Sequence, residues 1–310
     1  MGNNNLFIAL LTLVLFLSCD QLSKELKPAE ISWIKKKGFQ NENVEPLRAK
    51  GKVPAPEVQL VLNDKKHWLA LDVAQPYLIL KETRFEIKNF APTRIVSIVK
   101  GNNEMLMEDG TVQNIQVLGS DYDIAHCSLL KQSSEEITST GLIGRNFYDN
   151  KIVTLDFKNG AVAYTEDREI KPLKDSYKIS FEMKDSEYVK YPMIYFTGLI
   201  DSLNILMTIN TTRRFSQISP ELAQKITNHQ NKKYITVEEL QVEKFHIKNI
   251  KCRINANLIY SSPRQGDILH FSMGLNILKN YLVTLDLRSS CFFLEKHQKA
   301  PNVNNQSSNN

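Results

Sequence analysis

The turn Asp72-Val73-Ala74 carries an acid that could take part in acid–base chemistry. It follows the apolar run WLAL, which is typical of a β-strand, so the carboxyl group stands at the end of that strand. A carboxyl group held there can act as a general acid or base. It can equally be a strand-end acid that is satisfied by neighbouring backbone amides. The residues around Asp72 leave both roles open.

A second turn, Asn210-Thr211-Thr212, occupies the matching place in the second half of the chain. Asn210 is nearly isosteric with aspartate, but its amide has no titratable proton near neutral pH. It could hydrogen-bond Asp72 or a water, yet it could not exchange protonation roles with the acid. We therefore expect Asp72 to ionise normally beside it.

Both turns precede a repeated segment that must help to position them. The segment GRNFYDNKIVTLDF begins at Gly144 and GLNILKNYLVTLDL begins at Gly274, and they share seven of 14 residues. Asp72 precedes Gly144 by 72 residues, and Asn210 precedes Gly274 by 64 residues. This spacing indicates two copies of a unit of about 100 residues, the size of a small domain. Short alternating or β-branched segments separated by Gly, Asn and Asp predict a mainly β fold.

Charge and proline content divide the remaining chain around the two units. Ile31, Trp33 and Ile34 are the apolar residues of the first polar part that could dock on the body. We expect a tether at 19–56, an N-terminal lobe at 57–166, a linker at 167–189, a C-terminal lobe at 190–297 and a disordered tail at 298–310.

The segments FSQISPELAQKI and GLIGRNF, together with VTLD in both halves, resemble motifs of the retropepsin-like aspartic protease family. FSMGLNIL is a looser match. The resemblance covers about residues 57–166 and 190–296, most of the chain. It implies two homologous aspartic-protease-like β-barrel lobes in one chain, as in a fused dimer, with a cleft between the lobes. We expect such a chain to be a monomer.

Aspartic proteases of this kind use two aspartates, each followed by Thr/Ser-Gly, which share a proton and activate a water. After Asp72, Val73 and Ala74 replace the hydroxyl residue and the glycine. In the second half, Asn210 replaces the acid and Thr212 replaces the glycine. These departures predict a catalytically inactive protein that binds an extended peptide or a protein partner in the inter-lobe cleft. The alternative is an active aspartic endopeptidase that uses Asp72.

The residues that follow Asp72 and Asn210 are the candidates for ligand binding: Val73, Ala74, Thr211, Thr212, Arg213 and Arg214. Thr211 keeps the hydroxyl that braces the turn in the family. Arg213 and Arg214 follow that turn, which faces the inter-lobe cleft in the family fold. Two guanidinium groups there could hold an acidic peptide or a carboxylate, or they could form an exposed loop pair.

The resemblance also implies a flap, the hairpin that closes over substrate in this family. In the first half, Gly101 and Gly110 stand at the positions expected for turns. In the second half, no glycine occurs between Tyr234 and Lys251. We therefore expect a glycine-hinged flap in the N-terminal lobe only.

The start of the chain predicts an address outside the cytoplasm. Residues 1–18 contain the run LFIALLTLVLFLS, which is too short to span a membrane comfortably and is typical of a signal peptide. Cys19, directly after Ser18, resembles the lipidated cysteine of a bacterial lipobox. This predicts a lipoprotein anchored to a membrane of the cell envelope. An uncleaved anchor and a plain secretory signal are the alternatives.

Composition limits the remaining classes of partner and cofactor. Lys and Arg outnumber Asp and Glu by 39 to 34, and the net charge of +5 is dispersed, so we expect no nucleic acid partner. No metal or nucleotide motif occurs, so we expect no metal and no cofactor. Cys252 with Cys291 is the expected pair if an oxidising compartment forms a disulfide. Otherwise Cys127, Cys252 and Cys291 are three buried thiols.

Overall fold

The protein is mainly β, with 56% strand and 15% helix, and its strands form two closed six-stranded barrels. The predicted fold class, two β-barrel lobes in one chain, is confirmed. The predicted signal peptide, Cys19 and the tail from residue 298 lie outside the described residues. The computed structural model describes residues 26–49, 55–84, 87, 90–100, 103–131, 140–167, 169–186, 192–227, 232–264, 266 and 268–297.

Strands dominate both halves of the described chain, and three short α-helices accompany them. In chain order the strands are β1 (Val44–Pro46), β2 (Glu57–Leu62), β3 (Lys65–Asp72), β4 (Leu78–Lys81), β5 (Ala91–Lys100), β6 (Asn103–Val117), β7 (Ser120–Leu130), β8 (Gly141–Gly144), β9 (Ile152–Asp156), β10 (Ala161–Thr165), β11 (Ser176–Ser180), β12 (Glu182–Asp185), β13 (Pro192–Ile200), β14 (Leu203–Ile209), β15 (Ser216–Ile218), β16 (Tyr234–Val242), β17 (Phe245–Ile254), β18 (Leu269–Met273), β19 (Tyr281–Asp286) and β20 (Cys291–Lys296). The α-helices are α1 (Ser32–Lys37), α2 (Pro220–Thr227) and α3 (Leu275–Leu278). Short 3₁₀ helices lie at Pro28–Glu30, Asn41–Asn43, Glu82–Arg84, Arg145–Phe147 and Ala256–Ser261.

The two barrels have the same strand order. The N-terminal barrel runs β2-β3-β8-β4-β7-β6 and closes because β6 also pairs with β2. The C-terminal barrel runs β13-β14-β18-β15-β17-β16 and closes because β13 also pairs with β16. Along β2, alternate residues Val58, Leu60 and Leu62 are buried, so the sequence EVQLVL turns one face into the barrel core.

A six-stranded sheet joins the lobes in the order β1-β10-β9-β19-β20-β11. At its centre the two VTLD segments pair antiparallel with each other. Thr154 lies opposite Thr284, and their hydroxyl oxygens are 2.8 Å apart. The repeat therefore builds the contact between the two halves of the chain.

The aspartates that end the two VTLD segments have structural roles. Asp156 accepts hydrogen bonds from the backbone amides of Lys158 and Asn159, both at 3.0 Å. Asp286 accepts one from the amide of Ser289 at 3.2 Å. Each carboxylate thus stabilises the hairpin turn that follows its strand.

The N-terminal segment differs from the predicted tether, because its described part is folded. Helix α1 buries Trp33, whose indole donates to Asp156 at 2.5 Å. On the same face, Lys37 forms a fully buried ion pair with Glu295 on β20. Lys37 lies within the predicted tether, yet it finds a buried partner 258 residues away.

The predicted linker at 167–189 also contributes to the fold. Its residues 176–180 form β11, which pairs with β20 at the edge of the shared sheet. Its next residues form β12, which extends the C-terminal sheet beyond β13. A charged composition predicted a bridge here, but edge strands accept polar residues because one side of them faces solvent.

The cysteines and the helices bear on the remaining predictions. Cys127, Cys252 and Cys291 are buried free thiols, so the Cys252–Cys291 pair is not formed. Ser219 caps α2 by accepting from the Leu222 amide at 3.2 Å. None of the helices in the described residues is long and apolar enough to cross a membrane.

Candidate functional site

Two equivalent turns form the candidate site. Asp72 ends β3 beside Gly144 of β8, and Asn210 follows β14 with its amide bonded to the Met273 carbonyl at 2.9 Å. In both lobes the loop after the turn crosses the glycine that starts the repeat. A Cβ on Gly144 would lie 2.4 Å from the Pro76 backbone, so only glycine permits this crossing.

The polar groups of the two turns meet at Thr212. Its hydroxyl oxygen lies 2.9 Å from Asn210 Oδ1 and 3.4 Å from Asp72 Oδ2. The Thr212 amide also donates to Asn210 Oδ1 at 2.9 Å. Within the described residues, Asp72 and Asn210 share no direct hydrogen bond. The sequence predicted that these two side chains lie within hydrogen-bond reach of each other; in the structure each lies within reach of the Thr212 hydroxyl.

Thr211 connects the lobes through the backbone of the other turn. Its hydroxyl donates to the Leu71 carbonyl at 2.6 Å and accepts from the Val73 amide at 3.3 Å. Val73 has no hydroxyl to make the reciprocal bond. The brace between the lobes is therefore one-sided.

The environment of Asp72 differs from the expectation of normal ionisation. The residue is only 4% exposed, and this burial raises the pKa of its carboxyl group. The Ala74 amide, which donates to Asp72 Oδ1 at 2.9 Å, opposes the rise, as do the charges of Arg213 and Arg145. Desolvation is the largest of these effects, because an ionised carboxylate loses its water on burial. The sequence indicated the neighbouring amide of Asn210 but not the burial of Asp72.

Arg145 and Tyr148 are site residues that the sequence prediction missed. Arg145 is buried and donates to the carbonyls of Ala74 and Pro192, so it joins one lobe to the start of the other. The Tyr148 hydroxyl is buried with no hydrogen-bond partner among the described residues, and burial followed by the charge of Asp72 raises its pKa.

A signal for both residues was present in the repeat. At the position of Arg145 the second copy has Leu275, and at that of Tyr148 it has Leu278. Polar residues in only one of two copies indicate a local requirement. Arg145 and Tyr148 both interact with the charge of Asp72, whereas Asn210 in the second copy carries no charge.

The predicted binding pair Arg213 and Arg214 separates in the structure. Arg213 is partly buried and its charge acts on Asp72. Arg214 is exposed, and its guanidinium carbon lies 5.1 Å from the centre of the Phe215 ring. The two guanidinium groups therefore interact with different parts of the protein.

The flap prediction holds in part. Strands β5 and β6 pair along their length as an antiparallel hairpin, and Gly101 lies outside the described residues. Gly110 is inside β6, where a Cβ would lie 2.4 Å from the Ala91 carbonyl, so it permits close packing and is not a turn residue. In the described C-terminal lobe, no strand corresponds to β5.

The described residues contain no group of three His, Cys, Asp or Glu side chains placed to hold a metal ion. No known protein-family profile matches the chain, and no curated protein matches it significantly.

Proposed function

We propose that this protein is a duplicated aspartic-protease-like protein that lacks catalysis and binds an extended peptide or a protein partner in the cleft between its lobes. The observation that carries the proposal is the placement of the Thr212 hydroxyl between Asn210 Oδ1 and Asp72 Oδ2. The two turns meet as a catalytic pair would, but the groups that meet are an acid, a hydroxyl and an amide.

The chemistry of these groups supports inactivity. Aspartic protease catalysis needs two carboxyl groups that share one proton and exchange roles during the reaction. Asn210 cannot take or give that proton. The raised pKa of Asp72 favours a neutral acid, which is a poor base for activating water.

Peptide binding does not require a second carboxyl group. Strand β5 ends the strand order of the N-terminal sheet and pairs on one side with β6. An extended peptide can bind such an edge by main-chain hydrogen bonds, which do not depend on the acids. The one-sided brace and the buried Arg145 keep the two turns together without a second carboxylate.

Membrane attachment is a separate part of the proposal. Lipidation of Cys19 would hold the bilobal body at a membrane of the bacterial cell envelope, with residues after the anchor outside the cytoplasm. Mass spectrometry of membrane-extracted protein tests it. A free Cys19 thiol or an intact signal peptide would contradict it.

Photo-crosslinking tests cleft binding. A library of short extended peptides with a benzophenone group is irradiated with the full chain, and the crosslinks are mapped by mass spectrometry. We expect them on the β5–β6 hairpin and on the turns at Asp72 and Asn210. Crosslinks that are confined to the shared sheet, or absent, would contradict the proposal.

Two exposed isoleucines provide matched variants. Ile95 on β5 is 68% exposed and Ile124 on β7 is 65% exposed. We expect Ile95→Asp to reduce crosslinking at the edge of the hairpin, because a charge there disfavours strand addition. Ile124→Asp makes the same change away from that edge and should leave crosslinking unaltered.

A further inference from the structure

Cations and aromatic rings gather on the C-terminal lobe beside the Asn210 turn. The rings of Phe215 and Tyr234 pack edge to face, with centres 5.4 Å apart. The Lys251 ammonium lies 5.7 Å from the Phe215 ring and 5.1 Å from the Tyr234 ring. Arg214 lies 5.1 Å from Phe215, and Lys233 lies 5.9 Å from Tyr234. We call these five residues the cationic cluster.

An open cavity of about 440 Å³ adjoins the cluster. Lys232 adds another cation to its wall, and the hydroxyl groups of Tyr234 and Thr236 supply hydrogen-bond donors. The lining residues are Thr227, Lys232, Tyr234, Ile235, Thr236 and Lys251.

The lysines of this region differ from Lys225 of the same lobe in their pairing. Among the described residues, no carboxylate pairs with Lys232, Lys233 or Lys251. Elsewhere on this lobe, Lys225 pairs with Glu221 at 3.0 Å. Ring contacts hold the cations in place, but cations at close range repel one another unless an anion is bound among them.

The equivalent position of the N-terminal lobe carries a different pair of side chains. The strand registers place Tyr77 and His126 where the second lobe has Phe215 and Lys251. The rings of Tyr77 and His126 pack edge to face, 4.6 Å apart. Tyr77 follows the acid turn by as many residues as Phe215 follows the amide turn. The duplicated positions have therefore diverged, and only the C-terminal one gathers cations.

We propose that the cationic cluster binds a carboxylate side chain of the peptide held in the cleft, so that the ligand carries an acidic residue on the side of the C-terminal lobe. This inference rests on the proposed function. The cluster begins at Arg214, four residues after Asn210, in the loop whose Arg213 acts on Asp72. Separate ammonium groups and hydroxyl donors suit a carboxylate that enters from an open side.

NMR titration of the ¹⁵N-labelled full chain tests the inference. The probes are acetylated tri-glutamate, acetylated tri-glutamine and inorganic phosphate. Tri-glutamate should shift amide signals of Phe215, Tyr234, Thr236 and Lys251, and tri-glutamine should not. We expect Lys251→Gln to weaken tri-glutamate binding about tenfold, the effect of one charge-assisted contact.

Lys244→Gln is the matched control, because it removes the same charge from the exposed turn at the far end of the β16–β17 hairpin. Equal binding of tri-glutamate and tri-glutamine, an equal effect of both lysine variants, or binding of phosphate alone would overturn the inference. Loss of these shifts with crosslinking in the cleft retained would refute the cluster only. Retained shifts without cleft crosslinking would refute the proposed function, and with it the cleft-bound peptide, and would leave the cluster as an anion site.

Discussion

Replacing Lys37 by methionine should lower the free energy of unfolding, because the Glu295 carboxylate then stays buried without its cation. Both side chains are fully buried. Removing one partner of such a pair costs about 3–5 kcal/mol. Glu295 keeps hydrogen bonds from the Leu173 amide at 2.7 Å and the Thr284 hydroxyl at 3.0 Å, so we expect a loss of about 3 kcal/mol, the lower end of that range.

Urea unfolding followed by tryptophan fluorescence measures this loss. Lys35→Met is the control, because Lys35 is exposed on the same helix and the chemical change is identical. Its effect should stay within about 0.5 kcal/mol. The double variant Lys37→Met/Glu295→Leu removes both charges and should recover most of the stability. A Lys37→Met loss as small as that of Lys35→Met would refute the buried pair and the docking of α1 on the shared sheet.

Three further predictions concern the site and the thiols. Thr211→Val should cost about 1–3 kcal/mol in urea unfolding, because it breaks the hydroxyl contact between the lobes, and Thr236→Val on the exposed face of β16 should cost little; equal costs would contradict the brace. Burial raises the pKa of Asp72, so the stability that its protonated form contributes is lost as pH rises through the folded-state pKa. Asp72→Asn should therefore raise the free energy of unfolding at neutral pH and should have no such effect in acid. An increase that does not depend on pH would contradict the burial of Asp72. Burial also raises the pKa of Cys127 and Cys252 to about 12, so Ellman's reagent should label them only after denaturation, and fast labelling of the native protein would contradict their placement.

The fold was predictable because the repeat consists of local sequence patterns. VTLD alternates as a strand does, and each copy follows a glycine that a loop must cross, so the pattern and its spacing imply two similar lobes. The pairing of Thr154 with Thr284 was not predictable, because register between distant strands depends on tertiary packing.

The strand-end positions of Asp72 and Asn210 were predictable, and the surroundings of these residues were not. Asp72 and Asn210 were found from their places at strand ends. Lys37 was assigned to a solvated tether because its buried partner, Glu295, is 258 residues away. Burial itself raised the pKa of Asp72, and single residues do not reveal their depth in the fold.

Proteolysis at acidic pH tests the central claim most directly. The full chain is incubated with a denatured protein substrate, with and without a pepstatin-like inhibitor, beside the variant Asp72→Ala. We predict no cleavage above the level of that variant, because Asn210 cannot share the proton of Asp72. Cleavage that stops both with the inhibitor and in Asp72→Ala would contradict the account and establish an active endopeptidase.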